Sequence, residues 1–171
     1  PGLRALQKAA VRAGGARNHR GNLSDWVMFK DNHLTALGIV EAVRSARDAW
    51  PGRTVHVECD TVDQCLEALE VGADSILLDN MDPETVRTCV AARERHGVSA
   101  RRTLLEVSGG VTLATIGEYS GTGVDMISVG ALTNSAPVLA LGLDLHCADR
   151  TCATGGRASI MVVSSEARAA D

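Results

Sequence analysis

Apolar positions in this chain change their period as it runs. Over residues 2–13, Leu3, Leu6, Ala10 and Ala13 recur at three- and four-residue intervals, which predicts a short amphipathic helix; Gly14 and Gly15 follow where a C-terminal cap belongs. From there short β-branched or aliphatic runs alternate with helical patterns. The runs predict strands near 26–30, 54–59, 74–78, 103–107 and 125–129. Between them, helices are predicted near 37–49, 61–71, 83–95 and 112–119. Strand followed by helix, repeated, predicts a parallel sheet. Asp82-Pro83-Glu84 adds a helix start, with Asp82 as cap and Pro83 in the first turn; Asp60 before Thr61, and Thr112 after a glycine pair, suggest two more.

The expected fold class is therefore α/β. A closed eight-fold barrel takes about 250 residues, whereas five steps in 171 residues predict a partial or open parallel barrel, TIM-barrel-like. A flat doubly wound sheet is the structural alternative. After Leu145 the alternation stops, and one apolar stretch, Ile160 to Val163, stands among Ser, Thr, Gly, Ala and Arg. Residues 1–145 are thus expected to form the barrel domain and 146–171 a disordered or loosely docked tail. The chain opens on Pro1 with no Met before it, which is read as a missing beginning.

Composition narrows the function. With one Tyr, one Phe and two Trp, the core must come from aliphatic residues, and no aromatic platform exists for stacking bases. A net charge of −4 lacks the basic excess of a nucleic-acid binder, so nucleic acid is not expected as a partner. Neither is a membrane, because no apolar run approaches the roughly 20 residues a spanning helix requires. Five cysteines without a C-x-x-C pair argue against a disulfide framework or structural zinc and fit a reducing, cytoplasmic location.

Polar residues interrupt the strands at one repeated place. Lys30 ends WVMFK, Glu58 and Asp60 end VHVECD, Asp79 ends SILLD, Ser108-Gly109-Gly110 follow LLEV, and Gly130 follows MISV. In parallel α/β folds the C-terminal strand ends converge on the ligand-binding face. Gly109, Gly110 and Gly130 could merely make turns, but two glycine turns at adjacent late strands favour a phosphate site formed by backbone and helix N-termini. Neither a P-loop nor G-x-G-x-x-G occurs. Glu58 and Asp79, on successive strand ends, suit Mg²⁺ or the hydroxyls of a sugar. Strand alternation turns Glu58 to the side of His56, away from Val55, Val57 and Cys59, and so towards the barrel interior. Arg17, His19 and Arg20 with Lys30 form a cationic set that matches a small dicarboxylic acid, although a solvated basic loop would read the same way. His33, His96 and His146 read as structural or surface residues, and His56 is open.

Taken in order, NHRGNLSD, FKDNH, VECD, ILLDNM, LEVSGG, TGVDMISVGALT and LDL resemble the quinolinate phosphoribosyltransferase family over roughly residues 1 to 145. The resemblance implies conversion of quinolinate and phosphoribosyl pyrophosphate to nicotinate mononucleotide, pyrophosphate and CO₂ with Mg²⁺, in de novo NAD biosynthesis. It also implies a head-to-tail homodimer, or a higher oligomer, whose active sites are completed by the partner's N-terminal domain. Matched by motif, His19, Arg20 and Lys30 resemble the quinolinate pocket, and Glu58 and Asp79 the residues that hold ribose and Mg²⁺. Ser108, Gly109 and Gly110, with Gly130 and Ala131, resemble the cradle of the 5′-phosphate. Lys30, Glu58 and Asp79 would be the catalytic set. The chain departs from the family in lacking the N-terminal domain and its Thr-Arg-Lys-Thr stretch, in Asn134 where His is common, and in His56 where Glu is common. Without that domain the chain is expected to be an inactive fragment. A paralogue with another substrate, such as the molybdenum-associated relatives, and a non-catalytic scaffold for a full-length partner are the alternatives.

Overall fold

A computed structural model describes residues 2–97, 102–147 and 158–164, with side chains up to residue 140. Five parallel strands form one sheet: β1 (Val27–Phe29), β2 (Val55–Cys59), β3 (Ser75–Asp79), β4 (Leu104–Ser108) and β5 (Met126–Ile127). Their order in space is their order in the chain. A doubly wound sheet reverses its strand order partway; here every crossover advances in one direction, as in a barrel, and among the described residues β1 and β5 do not pair to close it.

The strands alternate as their sequences require. Val55, Val57, Cys59, Ile76, Leu78, Leu105 and Val107 are fully buried on the helix-covered side, whereas His56, Glu58, Leu77, Asp79 and Glu106 turn to the other face and line a cavity. Against the first face pack α3 (Ile39–Ala49), α4 (Val62–Glu70) and α5 (Pro83–Arg95) through Ala42, Val43, Cys65, Ala68, Val86 and Cys89. Burying each large aliphatic side chain contributes about 1.5–3 kcal/mol, and this two-layer contact holds the sheet.

Helix starts follow local chemistry. Asp82 caps α5 by accepting the Glu84 and Thr85 amides at 2.9 and 3.0 Å. At α4 the cap is Thr61 rather than Asp60: Thr61 Oγ1 accepts the Gln64 amide at 3.2 Å, and the Gln64 side chain reaches back to the Asp60 and Thr61 amides. That reciprocal pattern is a capping box, and it corrects the expectation for Asp60. A second difference is α2 (Asp31–Leu37), a helix outside the predicted set. DNHLTAL has too few apolar residues to show a period, and Gly38, at φ 71°, separates it from α3. Third, the helix expected from Thr112 starts only at Ile116, as α6 (Ile116–Ser120). Thr112 and Thr115 instead bond to one another's backbone and hydroxyls, a turn that competes with helix. α1 (Arg4–Ala13) forms as expected, yet none of its residues is buried and Leu6 is 68 % exposed.

α7 (Ala131–Asn134) is the last helix of a first compact unit that ends at Ser135. The second unit, from Ala136, contains β6 (Leu141–Cys147) and β7 (Ala158–Ser164), paired antiparallel from Leu141↔Ser164 to Cys147↔Ala158. The compact units divide after Ser135, and β7, within the expected tail, pairs with β6; residues 148–157 and 165–171 lie outside the described residues. Neither β6 nor β7 is among the strands predicted from the sequence.

Candidate functional site

The C-terminal strand ends open into a cavity of about 840 Å³ within the first unit. Its wall begins on α1, where Arg4, Gln7, Lys8 and Val11 share one helical face and point to the loop that follows. Lys8 Nζ donates to the His19 carbonyl at 3.0 Å, and Arg4 reaches the Arg20 carbonyl at 3.4 Å. These two contacts hold the basic loop against the cavity, so that Arg17, His19 and Arg20 all line it.

At the end of β1, Lys30 donates its ammonium to Glu58 from the end of β2, joining the two strand ends by an ion pair. Lys30 also opens α2, where its amide donates to His33 Nδ1 at 3.1 Å; this gives His33 a structural task. Asp79, ending β3, lines the same cavity and accepts from Asn80 Nδ2 at 2.6 Å. Ser108 and Gly130 line it as well.

Gly109, Gly110 and Ala131 do not line this cavity. Gly109 stands at φ 83°, and a Cβ there would lie 2.2 Å from the Asn80 side chain and 2.8 Å from its backbone nitrogen. Its glycine is required by that close approach and by the left-handed backbone, as the turn reading held. Gly110, also left-handed at φ 63°, faces open space. The helices beyond these turns are short, five residues in α6 and four in α7. An anion at this end would meet loop amides and the free N–H groups of these short first turns. Asn134 lies on α7 outside the cavity lining and accepts from Ser135 Oγ at 2.7 Å.

The floor contains residues that motif reading passed over. Glu106 is 1 % exposed in the middle of β4, level with Leu77 and, through it, Glu58. Ser128 Oγ donates to its Oε1, and His19 Nε2 stands 3.4 Å from the same oxygen. Burial would raise the Glu106 carboxyl, but His19 and Ser128 outweigh it and hold it below the usual carboxylate range. Trp26 stacks on His56 with ring centres 4.9 Å apart, and His19 meets Trp26 edge-on at 5.0 Å. Burial drives His56 down to about 4 against a partial upward pull from Glu106, so its ring is neutral at pH 7. Trp26 Nε1, His56 Nδ1 and Glu106 Oε2 are buried without a hydrogen-bond partner among the described residues. A legible signal existed for two of these groups: Glu106 occupies in LLEV the same strand phase as Glu58 in VHVEC, and Arg4 and Lys8 are spaced i, i+4. Trp26 and Ser128 carried none.

Among the described residues no group of three His, Cys, Asp or Glu is placed to hold a metal. Glu58 is neutralised by Lys30, which leaves Asp79 with Glu58 as at most two carboxylates. That donor set fits an ion which also takes phosphate oxygens from its ligand, the usual arrangement for Mg²⁺, and does not fit an ion caged by protein alone. Cys59 is fully buried and its thiol is pushed up by burial, so it offers no thiolate nucleophile.

Comparison with known proteins places this geometry. Residues 1–144 match the family described as quinolinate phosphoribosyl transferase, C-terminal domain. A nicotinate-nucleotide pyrophosphorylase (carboxylating) of Mycobacterium leprae is 46 % identical over 146 residues, covering 85 % of this chain and 50 % of that protein. The human protein of the same name is 41 % identical over 147 residues, covering 85 % and 48 %. The crystal structure of NadC from Streptococcus pyogenes superposes with a TM-score of 0.71 at 39 % identity, covering 79 % of this chain and 46 % of that one. The chain spans about half the length of the curated relatives it matches. No helix among the described residues is long and apolar enough to cross a membrane.

Proposed function

Since this chain belongs to the quinolinate phosphoribosyl transferase family, matching its C-terminal domain, we propose that it carries the transferase site that joins quinolinate to phosphoribosyl pyrophosphate, releasing pyrophosphate and CO₂ and forming nicotinate mononucleotide. The observation that carries this reading is the gathering of His19, Arg20, Lys30, Glu58, Asp79, Ser108 and Gly130 around one cavity.

In this reading His19, Arg20 and Lys30 grip the two carboxylates of quinolinate. Arg20 offers a planar fork of donors; Lys30 has three, enough to keep Glu58 and take a substrate carboxylate at once. Asp79 and Glu58 face the ribose hydroxyls, and they would hold Mg²⁺ jointly with the pyrophosphate oxygens. Mg²⁺, when bound, neutralises the charge that develops on departing pyrophosphate. Ser108 and Gly130 border the 5′-phosphate; Gly109, Gly110 and Ala131 shape the turns that carry their amides to it. No side chain acts as a nucleophile. The pyridine nitrogen attacks the cation-like ribose carbon, and the residues contribute by orientation and by charges fixed in place beforehand. A second copy of the full-length protein, sharing sites in a cytoplasmic dimer, is the partner this reading carries, supported by the exposed apolar residues of α1.

The test is an assay of the full-length polypeptide that carries this chain, with quinolinate, phosphoribosyl pyrophosphate and Mg²⁺, following nicotinate mononucleotide by chromatography. Product is expected; its absence overturns the reading. In the same assay Asp79→Asn is expected to lower turnover roughly a hundredfold or more, on the scale of losing one transition-state contact. Its Mg²⁺ requirement is expected to rise while quinolinate affinity changes little. Coincident Mg²⁺ curves for wild type and variant would remove Asp79 from the metal's ligands.

A further inference from the structure

Glu106 is a buried carboxylate to which the functional reading gives no task. A carboxylate this deep is tolerated only when paired and hydrogen-bonded. Asp74 and Asp125, at the other end of the sheet, each accept a backbone amide, from Val55 and Leu105 respectively, both at 2.8 Å. Glu106 differs. The described partners of its carboxylate are side chains, Ser128 and His19, and both line the cavity. Its Oε2 is buried without a hydrogen-bond partner among the described residues. A charge held this way does not stitch strands together through the backbone; it acts on the side chains around it.

His19 is the side chain it acts on most directly. The His19 carbonyl is fixed by Lys8 at 3.0 Å, Trp26 bounds the ring edge-on at 5.0 Å, and Nε2 is drawn to within 3.4 Å of Glu106 Oε1. With Nε2 turned to the floor, Nδ1 is the ring nitrogen available to a ligand. An imidazole held between Glu106 and a ligand carboxylate presents one ring nitrogen to each. Outer carboxylates that orient a histidine in this way are a general device for fixing which nitrogen faces the ligand.

We propose that Glu106 is a positioning residue for the dicarboxylate pocket: from the floor of the sheet it fixes the His19 ring so that the free edge meets one carboxylate of the substrate. This rests on the functional reading above for the identity of the substrate. The hold on His19 itself does not.

The experiment pairs two measurements. In the full-length protein, Glu106→Gln keeps the size of the side chain and its bond from Ser128 but removes the charge. The KM for quinolinate is expected to rise about tenfold or more, the scale of one charge-assisted hydrogen bond, with the KM for phosphoribosyl pyrophosphate unmoved. Glu106→Asp, which restores the charge one methylene short, should fall between. In a His19→Ala background Glu106→Gln should add nothing. A lowered thermal midpoint with unchanged quinolinate KM would mean a structural role and overturn the proposal. The second measurement uses the 171-residue chain and no substrate: the imidazole ¹⁵N resonances of His19 are expected to move in Glu106→Gln. Unmoved resonances overturn the proposal by themselves. If wild type forms no product, the functional reading fails, and the His19 spectrum still decides whether Glu106 holds the ring.

Discussion

The two ends of the five-stranded sheet treat charge in opposite ways. At the N-terminal end Asp74 accepts the Val55 amide, Asp125 accepts the Leu105 amide and the Arg93 guanidinium, and Thr103 Oγ1 donates to the Ala73 carbonyl at 2.7 Å. Arg93, 7 % exposed, reaches further carbonyls at Thr103 and Gly123. These polar side chains are matched largely to backbone, although Asp125 also borders the cavity. Glu58 and Asp79 at the C-terminal end, and Glu106 midway along β4, accept no backbone amide among the described bonds; they face cations, hydroxyls and a cavity. The difference teaches where to look for ligands in such a fold. A carboxylate satisfied by the chain's own amides supports the strands, while one left among side chains is available for work.

The contrast can be broken most strongly at Lys30. In the full-length protein Lys30→Ala is expected to weaken quinolinate binding by on the order of 2–5 kcal/mol, since on the proposed reading it removes a substrate cation and strands Glu58. Lys30→Arg should rescue it only partly, because a planar fork cannot replace a compact ammonium at that point. Titration calorimetry with equal affinities would take Lys30 out of the pocket.

At the N-terminal end the matching experiment is Asp125→Ala. It removes the partner of a buried guanidinium and the acceptor of the Leu105 amide, so stability should drop by about 2–3 kcal/mol, with the ligand affinity of the folded protein retained. Denaturant unfolding checks the first half. A loss of quinolinate affinity without a loss of stability would erase the distinction between the ends.

Acid sharpens it next. His56 is neutral in the fold with its pKa lowered to about 4 by burial, against 6.5 in the unfolded chain. The unfolded state therefore takes up the proton first: stability is complete above pH 6.5 and falls as pH drops towards 4, by on the order of 1–3 kcal/mol. Glu106, lowered in the fold, extends the loss to more acid pH. Unfolding free energies measured between pH 7 and 4 should follow this slope, and His56→Phe should flatten its upper part. A flat profile in wild type would mean that the floor around His56 is wetter than its burial indicates.

The smallest effect tests whether every polar residue at the open end serves a ligand. Thr61→Ala should cost about 1 kcal/mol through the lost cap of α4 and leave substrate kinetics unchanged, because Thr61 does not line the cavity. Altered kinetics at unchanged stability would contradict the local reading.

The sequence by itself determined the order of the five sheet strands and most of their helices, the parallel sheet and the faces of its strands, because a period of two or 3.6 is a local property that each segment carries alone. It also carried the strand ends that bear Lys30, Glu58, Asp79 and Ser108, and the glycine turn at Gly109. Tertiary structure decided the rest. That Asp125 is matched to backbone while Glu106 is matched to side chains depends on which strands lie side by side, and no spacing along the chain encodes it. The Trp26–His56 stack and the reach of Lys8 to the loop at His19 likewise join residues whose separation in sequence says nothing of their distance in space. α2 escaped pattern reading because seven residues are too few to display a period, and Leu3 and Leu6 on α1 formed the expected stripe without being buried, since burial depends on what lies opposite and not on the helix itself.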